Sequence, residues 1–233
     1  MKAVITGASR GLGKTIASYF ARSGYDVYLV AKNARLLEET ADAFRVEFPT
    51  INVHWAAADL ADKQQCMDAG ERIVNDNFQP DVLVNNAGTY NPGSLHDEPD
   101  GALEMMLGVN LYSAYHLTRK LLPPMMRRRS GHIFNICSIA SLAAYPGGGS
   151  YSISKYALAG FSKNLRHELQ PFNIKVTTVY PGAIYTDSWK GSGVSEERIM
   201  TTNDIASLVF AASQLSPAAC LEEIVVRPQL GDL

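Results

Sequence analysis

Tyr151 and Lys155 stand four residues apart, and Ser138 lies thirteen residues before Tyr151. Leu158, Phe161, Leu165 and Leu169 recur at spacings of three and four, which predicts a helix from Tyr151 to about Gln170. Ser150, after the Gly147-Gly148-Gly149 run, is the expected N-cap. On that helix the Tyr151 phenol and the Lys155 ammonium share a face and reach one small volume. A phenol beside an ammonium is a proton-transfer pair. Moving a free phenol from a pKa of ~10 to ~7 takes about 4 kcal/mol of preferential phenolate stabilisation. One cation at ~4 Å, in an effective dielectric of ~20, supplies a Coulomb term of about that size. Spacing alone does not establish the pair, because Tyr28 and Lys32 repeat it. Those two fall in an apparent strand, where four residues span ~13 Å and the groups cannot meet.

The elements that would carry these residues alternate along the chain. Strands are predicted at Lys2 to Thr6, Asp26 to Ala31, Asn52 to Ala56, Asp81 to Asn85, Gly131 to Ser138, Ile174 to Tyr180 and Glu223 to Arg227. Helices are predicted at Leu12 to Ser23, Ala34 to Glu47, Ala61 to Asp76, Thr202 to Gln214, and in a long segment from Asp100 to Met126 interrupted near Pro123-Pro124. Near-continuous apolar strands between helices imply a parallel sheet covered on both faces. The expected fold class is α/β, a Rossmann-like doubly wound parallel sheet of about seven strands. With no linker, repeat or low-complexity tract, residues 1–233 are expected to form one domain.

Gly7, Gly11 and Gly13 lie between the first strand and the first helix, in Gly7-Ala-Ser9-Arg10-Gly11-Leu12-Gly13. Glycines there let backbone amides approach a pyrophosphate, and the helix N-terminus adds unpaired N–H groups and partial positive charge. A dinucleotide is the expected ligand. NAD sites usually place an acidic residue after the second strand, to bond the ribose 2′-hydroxyl. Here that strand ends in Ala31-Lys32-Asn33, and Lys32 with Arg10 could bracket a 2′-phosphate. NADP(H) is therefore favoured over NAD(H). The same missing acid weighs against an S-adenosylmethionine methyltransferase.

A net charge of −2 argues against a nucleic-acid or acidic-membrane partner. The basic run Arg127-Arg128-Arg129 ends a helical stretch and reads as a solvated cap. Cys66, Cys137 and Cys220 form no metal or redox pattern, and Cys137 reads as core packing. His54, His96, His116, His132 and His167 show no ligand spacing, so no metal is expected. The opening residues read directly as a strand and no apolar run is long enough to span a bilayer, so a cytoplasmic location is expected.

Thr6 to Gly13, Asp59-Leu60, Asn85-Asn86-Ala87-Gly88, Asn110, Ser138, Tyr151 with Lys155, and Pro181-Gly182 followed by Thr186 together resemble the short-chain dehydrogenase/reductase family in its compact single-domain form. The resemblance spans nearly the whole chain. It implies that Tyr151 is the general acid or base, that Lys155 lowers its pKa and holds the nicotinamide ribose, and that Ser138 hydrogen-bonds the substrate oxygen. It further implies that Asn110 holds a water linking Lys155 to solvent, that Asp59 contacts the adenine edge, and that Asn86, Ala87 and Gly88 line the adenosine side. Ile184 and Thr186 would secure the carboxamide after the Pro181-Gly182 turn.

The implied activity is NAD(P)-dependent oxidoreduction, with NADPH-dependent reduction of a small or medium carbonyl compound favoured. Tyr90, Leu142, Tyr145, Tyr185 and Trp189 are the candidate substrate lining, apolar and aromatic without a charged anchor. Residues 183–200 are expected to form a lid. A homotetramer or homodimer through the Asp100–Met126 and Tyr151–Gln170 helices is implied. The rival is a non-catalytic NADPH sensor on the same scaffold, which would be expected to lose Tyr151 or Lys155.

Overall fold

Ala3-Val4-Ile5, Val27 to Ala31 and Leu83-Val84 are buried, the pattern of strands covered by helices on each side. The computed structural model describes residues 1–186, 189 and 193–232. Its strands are β1 (Lys2–Thr6), β2 (Asp26–Ala31), β3 (Val53–Ala57), β4 (Val82–Asn85), β5 (Gly131–Ile136), β6 (Ile174–Pro181) and β7 (Glu223–Val226). They form one sheet in the order β3-β2-β1-β4-β5-β6-β7, and every pairing is parallel. The order reverses between β1 and β4, so the crevice beyond their carboxyl ends is where such a sheet takes a ligand.

The helices are α1 (Gly11–Arg22), α2 (Ala34–Glu47), α3 (Lys63–Asn75), α4 (Ala102–Leu107), α5 (Ser113–Arg128), α6 (Gly149–Leu169) and α7 (Thr202–Ser213). Strand alternation divides the core between them. Ala3, Ile5, Val27 and Leu29 pack with Ile16, Phe20, Leu37 and Val209 of α1, α2 and α7. Val4, Tyr28 and Val30 pack with Cys66, Ile73, Leu117 and Leu165 of α3, α5 and α6. Each fully buried Val, Leu, Ile or Phe contributes about 1.5–3 kcal/mol.

Four sequence expectations are corrected. The long helical segment breaks at Gly108–Tyr112, a π-helical turn between α4 and α5, and not at the prolines. Pro123 and Pro124 stay inside α5, which runs on to Arg128 although each proline forfeits a helical N–H. Helix α3 starts at Lys63 because the Asp62 carboxylate accepts from the Gln65 N–H. Helix α6 starts at Gly149, which puts Ser150 inside its first turn and not at the cap. The basic run also holds the chain rather than water alone: Arg128 donates to Gln79 and the Pro80 carbonyl, and Arg129 to the Pro171 carbonyl.

Candidate active site

Ser138, Tyr151 and Lys155 meet beyond the carboxyl end of β5. The strand stops at Ile136, and Ser138 becomes the N-cap of a short 3-10 turn, Ile139–Ser141, its hydroxyl accepting from the Ala140 N–H. The Ser138 hydroxyl faces the Tyr151 phenol and favours its ionised form. Lys155 is buried, its ammonium donating to the Ile136 carbonyl at 2.9 Å and lying 5.9 Å from the Tyr151 ring centre. By contrast, Tyr28 and Lys32 go to different partners, the phenol to Asp76 and the ammonium to Asp59.

Electrostatics here depart from the sequence expectation. Burial pushes the Tyr151 phenol above its ordinary value, and the Ser138 hydroxyl pulls it down. Burial likewise pulls the Lys155 ammonium below its ordinary value. Lys155 gives one of its three N–H donors to the Ile136 carbonyl, which leaves two for other partners. Cys137 packs with Leu158, Ala159 and Tyr180, and burial pushes its thiol up to about 12.

Asn110 sits in the π-helical turn and is fully buried. Its Oδ1 accepts from the Thr89 N–H at 2.8 Å, and its Nδ2 donates to the Thr89 carbonyl and to Ser154 Oγ. Ser154 Oγ in turn donates to the Tyr151 carbonyl. The amide does not back-bond to its own helix; it braces the first turns of α6. Both of its N–H donors are committed, so the water link expected of it has only Oδ1 left to use.

At the β1–β4 switch, Thr6 Oγ1 accepts from the N–H groups of Asn86 and Ala87 at 2.9 Å each, and Asn86 Nδ2 donates to the Thr6 carbonyl. A Cβ on Gly13 would stand 2.3 Å from the Gly7 carbonyl and 2.5 Å from Asn86 Nδ2. Only glycine lets α1 sit this close to the strand ends. A Cβ on Gly88 would lie 3.4 Å from Lys155 Nζ, which joins this crevice to the Tyr151 group. Asn33 and Asp62 cap α2 and α3, yet no side chain caps α1 and its first turn holds no acid. An uncapped N-terminus behind a glycine loop fits a pyrophosphate.

The remaining predicted cofactor residues divide. Thr186 lies against the loop, its methyl 3.7 Å from where a Gly11 Cβ would be. Pro181 ends β6, and the Gly182 N–H donates to Val226. Ser9 receives a bond from Thr40 at its carbonyl. The side chains of Leu12, Leu60 and Ile184 pack on the core, leaving their backbone for a ligand. Lys32 is paired with Asp59 at 2.6 Å and holds that carboxyl below the usual carboxylate range. Arg10 is exposed at the N-cap of α1.

Among substrate candidates, the Tyr90 ring meets the Tyr151 ring edge-on at 4.8 Å, and burial, with Tyr90 and Tyr151 nearby, pushes the Tyr145 phenol above its ordinary value. Leu142 and Tyr145 are exposed. Tyr185 is held at its N–H by the Met200 carbonyl, and the Trp189 N–H donates to Thr186. Sequence reasoning missed Glu98 and Ser154, which bond around Tyr151. Ser154 was visible inside the Tyr151–Lys155 run; Glu98 carries no local signal.

A family model described as short chain dehydrogenase matches residues 1–197. The chain belongs to the short-chain dehydrogenase family. The sepiapterin reductase of Chlorobaculum tepidum is 32% identical, over 99% of this chain and 97% of that protein. An alcohol dehydrogenase from the archaeon Thermococcus sibiricus, complexed with 5-hydroxy-NADP, superposes with a TM-score of 0.91 at 26% identity, over 100% of this chain and 98% of that one. L-sorbose reductase from Gluconobacter frateurii, complexed with NADPH and L-sorbose, gives 0.86 at 29% identity, over 97% and 94%. This short-chain dehydrogenase is an oxidoreductase acting on CH–OH or C=O groups.

Proposed function

We propose that the protein is an NADPH-dependent reductase of small or medium uncharged carbonyl compounds, with Tyr151 as the proton donor. The convergence of Ser138, Tyr151 and Lys155 at the open end of β5 carries the reading. NADPH, when bound, would supply the hydride for the carbonyl carbon. Tyr151 gives its proton to the carbonyl oxygen, and Ser138 holds that oxygen as negative charge grows on it. Lys155, close to Gly88, anchors the ribose beside the nicotinamide. Asn110 keeps the first turns of α6 in place. Gly7, Ser9, Gly11, Leu12 and Gly13 would hold the pyrophosphate. Asp59, Leu60, Asn86, Ala87 and Gly88 would border the adenosine, and Pro181, Gly182, Ile184 and Thr186 the carboxamide.

NADP(H) is favoured because β2 is followed by Lys32, with no carboxylate at that end of the strand, and Arg10 stands in the loop. The NADP-type ligands of the two structural neighbours support the choice. Lys32, itself exposed, would reach a 2′-phosphate by releasing the half-buried Asp59.

Tyr90, Tyr145, Tyr185 and Trp189 form the substrate wall, which offers aromatic surface and phenol hydroxyls but no fixed charge. Residues 183–200 serve as the lid of a single 1–233 domain. Its base is closed by the Ile184–Met200 bridge; Asp187, Ser188 and residues 190–192 lie outside the described residues. No helix among the described residues is long and apolar enough to cross a membrane, and a cytoplasmic location belongs to the same proposal. So does a homodimer or homotetramer built on α5 and α6.

The test is to titrate the protein with NADPH and NADH, then follow nicotinamide absorbance with aldehydes, ketones, quinones and β-ketoacyl esters. Tighter NADPH binding and turnover of at least one uncharged carbonyl are expected. NADPH binding with no turnover across the panel would overturn carbonyl reduction and return the sensor reading.

A further inference from the structure

The loop from Asn86 to Gly101 carries Tyr90 to the Tyr151 ring, and it reaches α6 through one carboxylate. Glu98 Oε1 accepts from the Ser150 backbone N–H at 2.9 Å, Oε2 lies 3.3 Å from the same nitrogen, and Oε2 also accepts from Ser150 Oγ. Helix α6 has no acidic residue in its first turn and no side-chain cap of its own. The acceptor for its unpaired N–H, and the negative charge its dipole favours, therefore come from a residue 52 positions away.

The junction is built tightly around this contact. Gly149 has φ +36, and a Cβ there would stand 2.1 Å from Glu98 Oε1 and 2.4 Å from the Gly93 carbonyl. The Gly93 N–H donates to the Gly147 carbonyl at 3.0 Å, and a Cβ on Gly93 would meet Glu98 Cγ at 2.6 Å. The Glu98 N–H closes its own turn on the Ser94 carbonyl. Ser150, held by the carboxylate, immediately precedes Tyr151. On the far side, Asn110 holds Ser154, whose hydroxyl donates to the Tyr151 carbonyl. Tyr151 is thus clamped before and after itself in the chain.

We propose that Glu98 is a positioning residue of the reaction: its carboxylate locks the Tyr90-bearing loop to the first turn of α6 and fixes where the Tyr151 phenol points. The proposal rests on the reading of Tyr151 as proton donor. Glu98 touches neither substrate nor cofactor in it. What it controls is the relation of the proton donor to the aromatic wall, since Tyr90 and Tyr151 stand edge-on only while the loop is tied down.

The test uses Glu98→Ala, Glu98→Gln and Ser150→Ala in the full chain. Turnover is counted per NADPH-binding molecule, alongside NADPH affinity and amide hydrogen exchange of segments 89–99 and 147–155. Glu98→Ala is expected to lower turnover per NADPH-bound molecule ~10- to 100-fold, the scale of a misplaced reacting group. NADPH affinity stays within about two-fold, because the clamp lies outside the phosphate crevice. Exchange quickens in both segments. Glu98→Gln, which keeps one acceptor oxygen, and Ser150→Ala, which keeps the N–H bond, fall between and carry the test should Glu98→Ala fail to fold. A merely structural residue would instead give fewer NADPH-binding molecules, each turning over at the wild-type rate, and that result overturns the proposal. Unchanged exchange in Glu98→Gln also overturns it. If Tyr151→Phe is inactive while Glu98→Gln is fully active, only the Glu98 proposal falls. If Tyr151→Phe retains wild-type turnover, the proton-donor reading falls and takes the proposal with it, even where exchange is raised.

Discussion

Burial acts on Tyr151 and Lys155 in the same sense, favouring the neutral form of each. A phenol held above its ordinary value keeps its proton through neutral pH, which is the state a donor needs when a carbonyl oxygen takes on charge. Carbonyl reduction should therefore be flat through about pH 7 and decline only as pH climbs through the raised phenol. Alcohol oxidation, which needs the phenolate, should rise over that alkaline range. Rate profiles in both directions check this; a reduction rate already falling below about pH 7 would mean the phenol is acidified instead. At the adenosine end, Lys32 meets Asp59. Lys32→Asp removes the cation and supplies the missing acid, so NADPH affinity should drop roughly 10-fold or more relative to NADH, the scale of one lost charge-assisted bond. Fluorescence titration with both cofactors reads the ratio, and an unchanged ratio refutes the role of Lys32.

Strands β5 and β6 do more than present Ser138. His132 on β5 is buried, with Nε2 bonded to Thr177 Oγ1 at 2.7 Å and Nδ1 without a hydrogen-bond partner. Burial, with Lys175 opposite it in register, pulls its pKa down to about 3. A folded pKa below the unfolded value of ~6.5 means the native state binds fewer protons, so stability is full above ~6.5 and is lost as pH falls toward the depressed value. The thermal midpoint should drop between about pH 7 and pH 4, and His132→Leu should flatten that acid limb; a limb equally steep in the variant would exclude His132 as its cause. The same elements mark what the sequence made legible. Apolar runs and helical spacing located the strands, the helices and the Ser138–Tyr151–Lys155 group, because each signal is local. The break in the long helix was misplaced for the opposite reason. Prolines announce themselves, whereas the π-helical turn is held by Asn110 bonds to Thr89 and Ser154, 21 and 44 residues away. Ser150 looked like a cap until its partner Glu98 came into place across the fold, and the pairing of Lys32 with Asp59 likewise carried no local signal.

At the scale of the molecule, α5 with the preceding turn and α6 expose Tyr112, Tyr115, Ile153 and Tyr156. Aromatic exposure on the helices that back the active site suits self-association. Light scattering should give a mass two or four times the 25.4 kDa chain, and Tyr156→Glu should lower it; a wild-type monomer would contradict the proposed assembly. The proposed chemistry depends on one hydroxyl standing where hydride and proton would meet, within a sheet whose switch point suits a dinucleotide. Replacing that hydroxyl alone tests it most directly. Tyr151→Phe should cut carbonyl turnover about 10²- to 10⁴-fold, the usual worth of a positioned acid, while NADPH binds as in the wild type. Turnover preserved in Tyr151→Phe would show that the proton comes from elsewhere.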